Sequence, residues 1–235
     1  VINYWVLVPA AGKGQRMASE LPKQYLQLAG KAVIAHTLER LLRWQKIQKI
    51  YLILAADDHQ AAQLACLKHP KVTYCVGGDS RSQSVYQGLL ALSREASDDD
   101  WVLVHDGARP CLCLSDIEQL TNRLAQDKVG GLLATPLWNT IKQTNSQAEV
   151  VTTLDRNLLW QALTPQMFRV GSLRQALANC LAQDLPVTDE ASAIESLGLK
   201  PKLVMGRRDN IKITCPGDLP LAEFYLAQQS TSGIL

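Results

Sequence analysis

Short apolar runs separated by amphipathic stretches set the rhythm of the first 135 residues. Trp5, Val6, Leu7 and Val8 form an unbroken apolar run that stops at Pro9, and comparable runs occupy residues 50–55, 72–76, 101–105 and 129–135. With residues 4–8 as the first, these are predicted strands, because a strand buried on both faces is apolar throughout rather than alternating. Residues 32–44, 58–68, 81–94 and 115–126 between them read as helices. Val33, Ile34, Thr37, Leu38, Leu41 and Leu42 form one stripe at helical spacing. Ser115-Asp116-Ile117-Glu118 spells a capping box that would start the last helix. Repeated β–α alternation predicts an α/β fold, a Rossmann-like and mostly parallel sheet covered on both faces. Ligands in such folds bind beyond the carboxyl ends of the strands.

The rhythm breaks after Thr135. Residues 140–144 and 150–154 are β-rich and flank the polar turn Asn145-Ser146-Gln147-Ala148-Glu149, so a hairpin is expected with no helix to cover it. An uncovered hairpin usually packs on something else, often a twin subunit. Helical pattern returns at 169–182 and at 188–197, where Thr188 is the candidate N-cap. Two short strands, 202–205 and 211–214, and a closing helix over 221–228, its start confined by Pro220, complete the reading. One domain is expected over residues 1–235, with 136–158 as an arm within it.

Of the 235 residues 47% are hydrophobic and 20% charged, the balance of a soluble globular chain. A net charge of +2 gives no basic surface for nucleic acid. No apolar run reaches membrane-spanning length, and no basic segment followed by an apolar one marks a signal peptide. The six cysteines are scattered, and Cys111-x-Cys113 lacks a second pair at zinc spacing. A reduced, cytoplasmic protein is expected.

The candidate chemistry sits directly after the strands. Pro9-Ala10-Ala11-Gly12-Lys13-Gly14-Gln15-Arg16-Met17 combines small residues, which let backbone N–H groups approach a ligand, with the cation Arg16. Lys23 in Pro22-Lys23-Gln24-Tyr25 is a second cation and Lys13 a candidate third. Met17 stands where a dinucleotide fingerprint asks for glycine or alanine, and Gly14 follows Lys13 where a Walker loop asks for serine or threonine. The loop therefore reads as a polyphosphate holder of a different kind. Gly77-Gly78-Asp79 with Arg81, Ser82 and Ser84 offers N–H groups and hydroxyls at a helix start, to a base edge or a phosphate. Asp106 in His105-Asp106-Gly107-Ala108-Arg109-Pro110 suits Mg²⁺ or a ribose hydroxyl, while His105 lacks a partner at ligand spacing and reads as a packed residue. Later polar clusters are Asp155-Arg156-Asn157, Thr188-Asp189-Glu190-Ala191-Ser192 and Asp209-Asn210-Ile211-Lys212-Ile213-Thr214. Taken alone, Lys212 in an alternating segment reads as solvent-facing.

P-A-A-G-x-G-x-R-M, P-K-Q-Y, G-G-x-x-R-x-x-S-V, H-D-x-A-R-P, D-R-N-x-L-W-x-A-L-T-P-Q, T-D-E-A-S-A and D-N-I-K-I-T occur in that order. The series resembles the 2-C-methyl-D-erythritol 4-phosphate cytidylyltransferases, nucleotidyltransferases of the non-mevalonate isoprenoid pathway, over essentially the whole chain. The resemblance implies a nucleotidyltransferase-type sheet with Arg16, Lys23 and Lys212 as catalytic cations. It implies CTP contacts at Ala10, Ala11, Gly12, Gly14, Gly78, Asp79, Ser84 and Asp106, and acceptor contacts at Arg109, Thr140, Arg156, Thr164 and Thr188. It further implies Mg²⁺ or another divalent cation near Asp106 and Asp209, a polyol phosphate as second substrate, and a homodimer whose β-arms embrace. Gln15 and Asn139 depart from the family's usual arginine and aspartate. Rival readings are a ribitol-phosphate or sugar-1-phosphate nucleotidyltransferase and, from another class, a nucleotide-sensing module without turnover.

Overall fold

In the computed structural model, which describes residues 2–12 and 21–231, the first apolar run is a strand near the middle of a seven-stranded sheet. β1 (Tyr4–Pro9) pairs in parallel with β4 (Ile47–Leu54) on one side and β6 (Trp101–Val104) on the other, with Leu7 opposite both Tyr51 and Val104. β5 (Val72–Val76) extends the sheet in parallel beyond β4. Beyond β6 lie β10 (Trp160–Arg169), β7 (Gly130–Pro136) and β11 (Lys202–Met205), giving the order β11-β7-β10-β6-β1-β4-β5. Within it, β10 runs antiparallel to both neighbours and β11 parallel to β7. β2 (Gln27–Leu28) and β3 (Lys31–Ala32) form a small separate ribbon.

Both faces of the sheet are buried, which is why β1 is apolar at every position. Val6, Val8, Leu52 and Leu103 face α1 (Val33–Leu42) and α3 (Leu114–Leu124), meeting Ile34, Leu38, Ile117 and Leu120. Trp5, Leu7, Ile53 and Val104 face α2 (Arg81–Leu92) and α4 (Val170–Ala182), meeting Val85, Leu89, Leu173 and Leu177. Helix α2 lies so close that a Cβ on Gly88 would come within 2.6 Å of Ile53 Cδ1. A third cluster joins Val33, Ala108, Cys111 and Ile213 to Ala222 and Leu226 of α6 (Asp218–Thr231). That cluster presses the 210–214 segment against the loop after β6, where Ile213 N–H donates to Ala108 O at 2.9 Å.

The expected strands all appear except 211–214, which joins no sheet. β10 was not expected. Its sequence carries Pro165, which cannot donate to a ladder, and the proline falls where the pairing with β7 shifts between Ala162 and Gln166. Residues 58–68 form two 3₁₀ turns, Ala61–Gln63 and Ala65–Lys68, rather than an α-helix. The Asp58 carboxylate caps the first of these turns, accepting the Gln60 and Ala61 N–H groups, and it also accepts the Tyr25 hydroxyl. Helix α3 begins at Leu114 with no side-chain cap, so the capping box spelled from Ser115 is not used. The box forms instead at Ser80 with Gln83, and at Asp189 with Ser192. The second caps α5 (Glu190–Glu195), so Asp189 rather than Thr188 is the N-cap. Helix α6 starts at Asp218, with Pro220 in its first turn, where a missing N–H is tolerated.

β8 (Ile141–Thr144) and β9 (Val150–Leu154) form the expected hairpin and pair only with each other. All six cysteines are unpaired, and Cys111 and Cys113 are buried. No described helix is long and apolar enough to cross a membrane.

Candidate active site

The loops after β1, β5 and β6 meet at one edge of the sheet and enclose a cleft. Ala10, Ala11 and Gly12 continue from β1, with Ala10 N–H still bonded to Ile53 O at 2.8 Å. Lys23 enters on a 3₁₀ turn whose other two residues are buried. Gln24 Nε2 donates to Ala10 O at 2.7 Å, and the Tyr25 hydroxyl to Asp58 Oδ2 at 2.6 Å. These two anchors fix the turn to the end of β1 and to the loop after β4, and leave Lys23 lining the cleft. Its charge is also felt by Asp218, whose carboxyl is held below its ordinary range: burial raises it, and the Cys215 and Thr214 N–H groups, aided by Lys23, more than offset that.

The opposite wall is the turn at Gly78 and Asp79. Ser84 is buried and binds both sides of Gly78, accepting from its N–H and donating to its carbonyl, each at 3.2 Å. A Cβ on Gly78 would stand 2.7 Å from Gln83 Cβ, so the turn requires a residue without one. Ser84 thus holds the turn, while Gly78 and Asp79 face the cleft beside Ser80 and Arg81.

Asp106 forms the floor. Its Oδ1 accepts from Arg81 Nη2 at 3.1 Å and Nε at 3.3 Å, and its Oδ2 lies 2.8 Å from Lys212 Nζ and 3.6 Å from Arg109 Nε. Burial pushes this carboxyl up, but Arg81, Lys212 and Arg109 together hold it well below the usual carboxylate range, so it is ionised. The backbone beneath is locked by one relay. Asp106 N–H donates to Thr164 Oγ1 at 3.2 Å, and that hydroxyl lies 2.9 Å from His105 Nδ1. His105 Nε2 is 3.1 Å from Arg109 O, an acceptor, so Nε2 carries the proton and Nδ1 accepts from Thr164. Burial lowers His105 to about 4 and keeps it neutral, as the relay demands.

Lys212 arrives from the 210–214 segment. Ile213 is fully buried, Asn210 Nδ2 donates to Thr164 O at 2.7 Å, and Arg109 Nη1 donates to Asn210 O at 2.7 Å. Held at both ends, the segment turns Lys212 towards Asp106, not out into solvent. A second cavity opens on the arm side, lined by Arg109, Asn139, Gln161, Arg208, Thr214 and again Lys212. Lys212 therefore stands where the two cavities meet.

The remaining sequence-named residues scatter around this frame. Gly14 and Arg16, with Lys13, Gln15 and Met17, lie outside the described residues. Thr164 is 4% exposed and its hydroxyl is committed to the relay. Thr140 is exposed at the root of the arm, between Asn139 and Ile141 of the second cavity. Arg156 is exposed and donates to Trp138 O at 2.5 Å, bracing that root. Thr188 lines neither cavity; its N–H is bonded to Ser192 Oγ at 3.1 Å. Asp209 does not line the cleft beside Asp106. Its carboxylate is taken by Arg207 Nη2 at 2.6 Å and Gln229 Nε2 at 3.0 Å. Among the described residues no cluster of three metal-ligating side chains exists. The positioning roles of Gln24, Arg81, Gln166, Glu190 and Asn210 were missed; all but Arg81 are at most 4% exposed, and a buried polar side chain leaves no mark on a hydrophobic pattern.

A family model for the 2-C-methyl-D-erythritol 4-phosphate cytidylyltransferases matches residues 4–228. The chain belongs to this family. It is an enzyme of the nucleotidyltransferase type. The cytidylyltransferase of Vibrio vulnificus YJ016 is 48% identical over 223 residues, covering 95% of this chain and 94% of its own. That of Pseudomonas putida KT2440 is 49% identical over 217 residues, 92% of each chain. Among solved structures, the Francisella tularensis member superposes with a TM-score of 0.83 at 37% identity, over 95% of this chain and 99% of that one. The Thermus thermophilus member gives 0.77 at 29% identity, over 95% and 98%.

Proposed function

We propose that the cleft binds CTP and the arm-side cavity binds 2-C-methyl-D-erythritol 4-phosphate, and that the acceptor's phosphate attacks the α-phosphorus of CTP at their boundary. The products are 4-diphosphocytidyl-2-C-methyl-D-erythritol and pyrophosphate, a step of non-mevalonate isoprenoid synthesis. One observation carries the assignment: Lys212 belongs to both cavities and is held 2.8 Å from the buried carboxylate of Asp106. A cation at the junction of two anion sites is what joining two phosphates demands.

The acceptor's second phosphate pKa is about 6, so its oxygen is already nucleophilic near neutrality and needs no general base. The protein's work is to hold two anions in line and stabilise the charge that builds between them. Lys212 and Lys23, both lining the cleft, do this, with Arg16 assigned as a third cation on sequence grounds. Gly78 and Asp79 face the cytosine, with Ser84 holding their turn; Asp106 serves the ribose end and Lys212; Ala10, Ala11 and Gly12 face the triphosphate, and Gly14 is assigned to it on sequence grounds. Arg109, Thr140, Arg156 and Thr188 are assigned to the acceptor side, and Thr164 acts from beneath. A Mg²⁺ ion carried mainly by the triphosphate is assigned to Asp106, which lines the cleft, and to Asp209 on the strength of the family resemblance. When bound, the ion neutralises phosphate charge.

The single domain spans 1–235, and its arm, 136–158, embraces a second copy to form a homodimer working in the cytoplasm. Exposed apolar residues on the arm support this: Trp138 is 64% exposed, Val151 63% and Leu158 82%. Pyrophosphate release from CTP with methylerythritol phosphate, ribitol 5-phosphate and a sugar 1-phosphate in parallel tests the reading. The first should support turnover with a divalent cation, and preference for either other acceptor would overturn it.

A further inference from the structure

Glu190 is 1% exposed and does not line the cleft. A buried carboxylate is costly unless paired, and its pairing here is complete. Arg81 Nη1 donates to Oε1 at 2.6 Å and Arg81 Nη2 to Oε2 at 3.1 Å, a two-pronged fork. The other edge of the same guanidinium, Nε and Nη2, grips Asp106 Oδ1. Asp106 therefore divides its oxygens, with Oδ1 for Arg81 and Oδ2 for Lys212.

Glu190 is itself held on both sides by one side chain from the sheet. Gln166 Nε2 donates to Asp189 Oδ2 at 2.9 Å and Gln166 Oε1 accepts Ala191 N–H at 2.8 Å. Gln166 lies opposite Val104 on β6, two residues before Asp106, and is 1% exposed. The sheet register thus sets where Glu190 stands, Glu190 sets the plane of Arg81, and Arg81 sets Asp106. In this cluster the cations Arg81, Arg109 and Lys212 face the carboxylates Asp106 and Glu190, leaving one unit of positive charge. Lys212, 35% exposed, is the member that stands where both cavities meet.

We infer that Glu190, acting through Arg81, is a positioning residue that keeps Asp106 Oδ2 aimed at Lys212 and so places the Lys212 ammonium for phosphate transfer. This rests on the proposed transfer reaction at the cleft. Without Glu190, Arg81 is free to turn and compete with Lys212 for both Asp106 oxygens, and the cleft gains unbalanced positive charge.

The test uses Glu190→Gln, Arg81→Lys and the double variant of the full chain. The glutamine of the first would present an NH₂ to an Arg81 donor, and the lysine of the second cannot fork between two carboxylates. Each single variant should lower kcat by about tenfold to a hundredfold, as small misplacements of a reacting group do, with KM for CTP moving less than about threefold. The double should be no worse than the poorer single, since both break one device. Acetic anhydride labelling, read at the Lys212 peptide, should speed up severalfold in both singles, because Lys212 is no longer pinned. A folded Glu190→Gln with kcat within about threefold of wild type and unchanged Lys212 labelling overturns the inference. Should Glu190→Gln fail to fold, Arg81→Lys decides by the same two readouts. If wild type releases no pyrophosphate, the functional reading fails, while Lys212 labelling still judges the positioning device.

Discussion

At the cleft, the carboxylate of Asp106 is 7% exposed and faces three cations within one chain, while along the arm all five residues of β9 are exposed and pair only with β8. The cleft's polar groups are nearly all answered locally: Gln24 by Ala10, Thr164 by Asp106 and His105, Asn210 by Thr164 and Arg109. The arm presents apolar side chains and no core, and an isolated two-stranded hairpin is marginal in water. The contrast teaches where each region's stability comes from. The cleft is fixed by the chain's own fold, and the arm is held only by the pairing of its two strands. Substitutions in the first should change chemistry or folding, and those in the second should change association.

The largest effect should come from the cleft's cations. Lys212→Ala and Lys23→Ala should each lower kcat by about 10²–10³, roughly 2.7–4 kcal/mol, while CTP affinity moves far less. Steady-state kinetics beside equilibrium CTP binding checks this; a kcat within threefold of wild type removes that lysine from the reaction. Next is the relay beneath Asp106. Thr164→Val keeps the shape but leaves Asp106 N–H and His105 Nδ1 without their partner, so stability should fall by about 1–3 kcal/mol in urea titrations. An unchanged midpoint would show that the relay holds nothing.

The pH dependence is a finer probe of the same burial. His105, lowered by burial to about 4 from an ordinary 6.5, resists protonation in the fold, so its contribution is intact above 6.5 and lost as pH falls towards 4. Asp116, raised by burial to about 6 from 3.8, works in the opposite sense: its contribution is full below 3.8 and lost as pH rises through 6. The two partly cancel between pH 4 and 6. Asp116→Asn should therefore make stability rise more steeply with pH across that window, and a slope equal to wild type would contradict the burial of Asp116. The smallest effect on folding should come from the arm. Val151→Asp should change unfolding free energy by no more than about 0.5 kcal/mol, as exposed substitutions do, yet weaken self-association in sedimentation velocity. A large loss of monomer stability with association intact would reverse the comparison.

The apolar runs made the central strands and main helices legible, because burial on both faces leaves continuous hydrophobic sequence. β10 was hidden by Pro165, which is tolerated because it falls among the extra residues that β10 carries between its pairs Ala162–Ala134 and Gln166–Leu132. The cleft's chemistry was legible as motifs: Ala10–Gly12, Lys23, Gly78, Asp79, Asp106 and Lys212 do converge. Lys212 taken alone looked solvent-facing, and only the burial of Ile213 and the anchoring of Asn210 turn it inward. Asp209 resembled Asp106 as an acidic residue near a cation, but its charge is neutralised by Arg207 two residues away. Glu190 and Gln166 stood in recognised motifs, but their positioning roles were not legible, since their partners come from distant elements of the chain.

We propose that Lys23 serves the cleft of its own chain while the acceptor side is completed by the partner's arm, through Arg156. Lys23→Ala and Arg156→Ala homodimers should each be nearly inactive, since every site carries one damaged member. Co-refolding equal amounts should make half of the dimers mixed, each with one intact and one doubly damaged site, and so return about a quarter of wild-type pyrophosphate release by symmetry. A mixture as inactive as its parents, with subunit exchange demonstrated by differently tagged chains, would show that Arg156 serves its own chain and that the site is not shared.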